Sequence, residues 1–201
     1  MSKWAAVGCV GILVLVVLVG GCSVLGMYNG LVTKDQAVEA QWAQVENVYQ
    51  RRADLIPNLV ETVKGAASFE KETYTAVAEA RSKVGQISGA ALANATRDPQ
   101  AFARFQAAQD GLSSALSRLM AVAENYPQLK ASQNFRDLQA QLEGTENRIA
   151  VERMRYNEAA QAFNTAIRQV PTNFVARVGG FAQKPYFKAQ PGAEQAPKVK
   201  F

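Results

Sequence analysis

The chain has 201 residues, with 22 Lys+Arg against 17 Asp+Glu and a net charge of +5. The length suits one domain with appended segments, and the mild, dispersed basic excess fits an anionic lipid surface or acidic partner better than nucleic acid. There is no histidine, which removes the commonest metal ligand and the usual general base.

The first predicted element spans residues 1–28. Lys3 is its only charge, Trp4 to Tyr28 carries none, and Ile12 to Val19 is a dense Leu/Val/Ile run. Two readings stand side by side. One is a transmembrane helix, since about 20 apolar residues cross a bilayer. The other is a lipoprotein signal, because Val19-Gly20-Gly21-Cys22 resembles a lipobox and makes Cys22 a lipidation candidate. Both tether the chain to a membrane. Lys3 before the segment, with Lys34 offset by Asp35 after it, favours the body on the outer, periplasmic or extracellular side. Cys9 and Cys22 form no disulfide framework or metal spacing.

Residues 29–170 read as all-α. Val38, Trp42, Val45, Tyr49, Arg52, Ile56, Leu59 and Val63 step by four and three, the seam of a bundle helix. Arg52 alone interrupts it. Pro57 lies inside it, at a cost of about 3 kcal/mol in a helix interior. Gly65 offers a stop, with Ser68 and Glu70 as the next start. A second helix covers about 69–84, with Tyr74, Val77 and Arg81 on one face, and residues 85–99 read as a loop.

Asp98-Pro99 opens a third helix with a stripe of Phe102, Phe105, Gln109, Leu112, Leu116, Leu119 and Ala123, closed by Tyr126-Pro127. Ser132 caps a fourth. Its stripe runs Phe135, Leu138, Leu142, Thr145, Ile149, Glu152, Tyr156, Ala160, Phe163 and Ile167, and Pro171 ends it. The expected architecture is an elongated antiparallel four-helix up-and-down bundle with an N-terminal membrane segment. A three-helix variant arises if Gly65 only kinks the chain. Residues 171–201 form a tail with Phe174, Phe181, Tyr186, Phe187 and Phe201. Five aromatics suggest docking, against the alternative of a flexible tail with incidental aromatics.

A seam arginine needs a counter-ion if buried. Asp54, Glu146 and Glu152 are the candidates. With Arg153 they define an expected structural ion network of Arg52, Asp54, Glu146, Glu152 and Arg153, and the same groups read as acid/base chemistry are the minor alternative. No catalytic, cofactor-binding or metal residue stands out. Trp42, Tyr49 and Tyr156 read as core.

Several separated motifs together resemble the LemA family. They are Tyr28-Asn29-Gly30-Leu31-Val32, Trp42 with Gln44-Val45-Glu46-Asn47, the run Arg51 to Gly65, Ala80-Arg81, and Glu146 to Arg153 with Tyr156-Asn157. Asn164, Ile167, Pro171, Asn173, Lys184-Pro185-Tyr186-Phe187 and Pro197 to Phe201 extend the likeness. Val170 departs from it, standing where members usually carry an aromatic, and Arg177-Val178-Gly179 replaces a more apolar segment. The resemblance implies a single-anchor bacterial membrane protein with an elongated helical bundle, no assigned catalysis, and an association with a membrane zinc metalloprotease. The resulting expectation is a non-enzymatic, membrane-tethered scaffold or adaptor of the cell envelope with protein partners and no nucleic acid. The alternative is a self-assembling envelope protein that forms homo-oligomers through Ala-rich helix faces.

Overall fold

The computed structural model describes residues 3–66, 71–87, 92 and 94–189. The expected helix start at Ser68 and Glu70, part of the 85–99 connection, and Phe201 fall outside them. The described residues fold into helices with no strand. They are α1 (Lys3–Ala66), α2 (Lys71–Gln86), α3 (Pro99–Ala123), α4 (Pro127–Ala131), α5 (Gln133–Ala166) and α6 (Thr172–Val178).

The helix boundaries follow local chemistry. Asp98 caps α3 by accepting from the Gln100 N–H at 2.8 Å, with Pro99 in the first turn, where its missing N–H costs nothing. The Ser132 hydroxyl accepts from Phe135 N–H at the start of α5. Pro127, which follows the end of α3, also opens the short α4.

The main departure from expectation is α1. The sequence divides the apolar segment from the first body helix near residue 29, yet the two are continuous in one helix of 64 residues. Tyr28-Asn29-Gly30 contains no proline, and a single interior glycine costs about 1 kcal/mol, too little to end a helix already propagating on both sides. Pro57 also sits inside α1 without ending it. It lies on an exposed face, between Ile56 and Leu59, which are both buried.

α1 changes environment along its length. Its apolar stretch is long and apolar enough to cross a membrane, and Leu15, Val16, Val17, Leu18 and Leu25 stand exposed. Burial begins at Leu31 and continues at Val38, Trp42, Val45, Tyr49, Arg52, Ile56, Leu59 and Val63, the predicted seam. Arg52 contacts Glu146, and Trp42 packs on Tyr156, so ten residues along α1 correspond to ten residues backwards along α5. The two helices therefore run in opposite directions. Trp42 meets Phe102 and Phe105, and Arg52 meets Gln109 and Ser113, so α3 runs in the same direction as α1. α2 packs chiefly on α3.

The apolar interior forms two clusters. The first joins Leu31 to Tyr49 of α1 with Phe102 and Phe105 of α3, Ile149 to Ala166 of α5, and Phe187 of the tail. The second joins Ile56 to Val63 with Val77, Leu112 to Ala123, Leu129, Phe135 and Leu142. In the first, the Trp42 ring lies 5.1–6.1 Å from Phe105, Phe102, Tyr156 and Phe187. Such pairs contribute about 0.5–1.5 kcal/mol each beyond area burial.

Candidate functional site: a polar layer and an extended strap

The two apolar clusters are separated by one polar layer, set by the same interruption in three helices. In α1, Arg52 lies between Tyr49 and Ile56. In α3, Gln109 lies between Phe105 and Leu112. In α5, Thr145 lies between Leu142 and Ile149. All three polar side chains are buried. Thr145 satisfies itself by donating to the Gln141 carbonyl at 2.7 Å.

Arg52 is the centre of this layer and is 1% exposed. Its Nη1 donates to Ser113 Oγ at 2.7 Å and to Glu146 Oε1 at 2.9 Å. Its Nη2 donates to the Gln109 backbone carbonyl at 3.3 Å and to Gln109 Oε1. The guanidinium carbon also lies 4.9 Å from the centre of the Tyr49 ring. A buried guanidinium is tolerated only with charge balance and hydrogen bonds of this kind. The side chain thus ties α1 to both α3 and α5.

The expected five-residue network divides into separate contacts. Arg52 and Glu146 are joined. Asp54 is exposed and accepts from Gln50 Nε2 at 2.8 Å, because two positions beyond Arg52 on a helix point elsewhere. Glu152 pairs with Arg155 at 2.9 Å on its own helix, since it lies nearly two turns from Glu146. Arg153 meets Asp110 at 3.3 Å and stacks 4.8 Å from the centre of Phe187. Cys22, the lipidation candidate, is an exposed free thiol on α1.

The tail supplies the other half of the site. Residues 181–189 run as an extended strap. Asn164 Nδ2 donates to the Lys184 carbonyl at 2.9 Å, and Asn164 Oδ1 accepts from Lys184 N–H at 2.8 Å. Asn157 grips Phe187 in the same two-way fashion, at 3.0 and 2.9 Å. The spacing explains the match. Seven helical residues rise about 10.5 Å, and three extended residues span about 10 Å. Gln106 of α3 adds a further two-way contact, donating to the Lys188 carbonyl and accepting from its N–H.

Lys184 fastens the strap to α1. Its buried ammonium lies 2.7 Å from Asp35 and 2.9 Å from Glu39, one turn apart. Glu39 also accepts from Thr96 at 2.8 Å. The tail aromatics divide accordingly. Phe187 is buried and Phe181 half-buried, while Phe174 and Tyr186 are exposed.

Burial shapes the ionisation of three groups nearby. It pushes the Glu46 carboxyl up, against the opposing influence of the Trp42 indole. It pushes the Tyr49 phenol up despite the Arg153 and Arg52 charges. The Tyr156 phenol, which donates to the Pro185 carbonyl at 3.2 Å, is also raised by burial.

Sequence reasoning missed Ser113, Asp110, Asp35, Glu39, Lys184, Asn157 and Asn164 as contact residues. Gln109 carried a signal, as the one polar residue on its stripe. The heptad spacing of Asn157 and Asn164 was a second. The partners of Lys184 are distant in sequence and left none.

Beside the layer, α3 and α5 enclose an open groove of about 700 Å³ whose lining includes Ser113, Leu116, Met120, Phe135, Leu142 and Glu146. Among the described residues no group of three or more His, Cys, Asp or Glu is arranged to hold a metal ion. The arrangement can hold three helices and a strap in one register and present a mixed apolar and acidic groove at its side.

Comparison with known proteins places these features in context. The model of the LemA family matches residues 41–201. Magnetosome protein MamQ 2 of Paramagnetospirillum magneticum is 30% identical, with 86% of this chain and 68% of that protein covered. Magnetosome protein MamQ of Magnetospirillum gryphiswaldense is 28% identical with the same shares covered. Protein LemA of Metamycoplasma hominis is 25% identical, covering 76% of this chain and 65% of its own.

Proposed function

The chain belongs to the LemA family, and from that premise we propose that it is a non-enzymatic, membrane-tethered scaffold of the bacterial cell envelope. A rigid four-helix up-and-down body would present its surface to protein partners. The observation that carries this reading is α1. A single helix contains both the apolar segment and the seam of the body. From Tyr28 to Ala66 it rises about 57 Å, so partner forces on the body pass to the anchor without a hinge. The buried charges support it too: Arg52 and Lys184 are each held by carboxylates and hydrogen bonds that fix helix register.

The α3–α5 groove and the exposed Val151 and Met154 of α5 are the surfaces on offer to a partner. A membrane metalloprotease is the partner class to which the family likeness points, and the outer face of the membrane is the side proposed for the body. Photo-crosslinking from Ser117, in the groove, tests the reading in native membranes. Capture of a distinct membrane protein is the expected result. Recovery of self-contacts alone would favour the self-assembling alternative, for which Val151 and Met154 provide an apolar spot on one helix face. Labelling with a clickable palmitate analogue, compared with Cys22→Ser, distinguishes a lipid anchor from an uncleaved helix.

A further inference from the structure

Three of the most exposed large apolar side chains beyond the anchor fall within nine residues, in α6 and the turn that leads into it. Val170 is 76% exposed, Phe174 64% and Val178 90%. They recur every four residues, and Phe174 and Val178 share one face of α6. The opposite face is also apolar: Ala176 is buried in the first cluster and Val175 packs against it. A short helix apolar on both sides has a second apolar environment to satisfy.

Its position indicates which one. The Phe181 ring, just beyond α6, lies 5.6 Å from the Tyr28 ring of α1. Tyr28 is one turn, about 4.5 Å of rise, beyond the exposed Leu25 of the apolar segment. The corner therefore stands at the foot of the body, where α1 leaves the bilayer and where aromatic belts form. Arg168 and Arg177 line one depression of about 430 Å³ beside it, with Asn173 and Gln183. Neither arginine has an ion-pair partner among the described residues.

We propose that Val170, Phe174 and Val178 insert into the interface of the bilayer that holds α1, and that Arg168 and Arg177 bind the phosphates of anionic lipids in the same leaflet. This inference rests on the membrane-tethered reading of α1. Apolar insertion beside guanidinium–phosphate contacts is how interfacial helices bind. The corner would act as a second point of attachment. One helical post can swing about its exit point, whereas a post with a wedge at its foot holds a fixed tilt.

The test uses the full chain in phosphatidylcholine–phosphatidylglycerol vesicles carrying an alkyne-tagged lipid. A photoreactive benzoylphenylalanine replaces Phe174, Val178 or, as a distal control, Ser117. Phe174 and Val178 are exposed, so folding is not at stake. Vesicle flotation reads the tether and lipid adducts read the wedge. Floating protein with lipid adducts at 174 and 178, but not at 117, is the expected result. Floating protein with no lipid adduct at 174, or with adducts only to a second copy, overturns the wedge and leaves the tether standing. Protein that does not float overturns both. Replacing Arg168→Gln and Arg177→Gln together should lower the preference for adducts with phosphatidylglycerol by roughly fivefold per arginine. An unchanged preference overturns the headgroup assignment.

Discussion

Asn164 holds the backbone of Lys184 from both sides, donating to its carbonyl and accepting from its N–H at 2.9 and 2.8 Å. The grip treats the strap as an added strand whose partner is one carboxamide on a helix. It leaves both backbone groups of Lys184 paired inside the protein, where an unpaired group costs about 1–3 kcal/mol.

Asn164→Ala is therefore expected to cost about 2–4 kcal/mol, because two backbone groups lose their partners together. Asn164→Asp should cost at least as much, since a buried carboxylate can accept from the Lys184 N–H but sets an ionised oxygen against the Lys184 carbonyl. Asn157→Ala, in a less buried setting, should cost about 1–2 kcal/mol. Urea titration gives the magnitudes. Hydrogen exchange at residues 184 and 187 should show the strap opening before the helices.

Arg52→Ala should cost about 3–5 kcal/mol, since it leaves Glu146, Gln109 and Ser113 facing a cavity. Glu146→Gln should cost less, about 1–2 kcal/mol, because its side chain is 39% exposed and Arg52 keeps Gln109 and Ser113. A double-mutant cycle between the two should show coupling. Additive losses would mean that the ion pair is not an energetic unit.

Glu152→Gln separates the observed layer from the network expected from sequence. Glu152 pairs with Arg155, which is largely exposed, at i, i+3. The substitution should change stability by no more than about 0.5 kcal/mol. A loss comparable to that of Arg52→Ala would show that Glu152 communicates with the buried arginine after all.

Glu46 and Tyr49 give opposite ends of a pH profile. Both folded pKa values are raised by burial. Each contribution to stability is therefore complete below the unfolded pKa and is lost as pH rises through the folded value. Glu46→Gln should stabilise the protein at neutral pH, and its advantage should vanish below about pH 4.5, where the carboxyl is protonated in both states. Wild type should lose stability above about pH 10, as Tyr49 ionises first in the unfolded chain. Tyr49→Phe should reduce the alkaline loss, and the part that remains belongs to the buried Tyr156 phenol, whose folded pKa is also raised. Thermal melts across the pH range check both limbs.

Much of the helical frame was legible in the sequence because helical periodicity is a local property. The α3 stripe from Phe102 to Ala123 is buried at every predicted position. The α5 stripe is buried apart from Leu138 and Glu152, which are intermediate. Arg52 announced itself as the one charge on its seam, but the choice among its partners did not. Asp54 was near in sequence and points away. Ser113 and Gln109 were distant and lie within hydrogen-bond reach.

The sequence by itself determined the apolar segment, the helix faces and the need for a counter-ion at Arg52, since each follows from residue type and a fixed helical repeat. Only the tertiary structure decided that anchor and body share one helix, that Glu146 rather than Asp54 or Glu152 answers Arg52, and that Lys184 reaches back to Asp35 and Glu39. These pairings depend on the rotation and offset of packed helices. They bring together residues as much as 145 to 149 positions apart, for which a linear pattern carries no record.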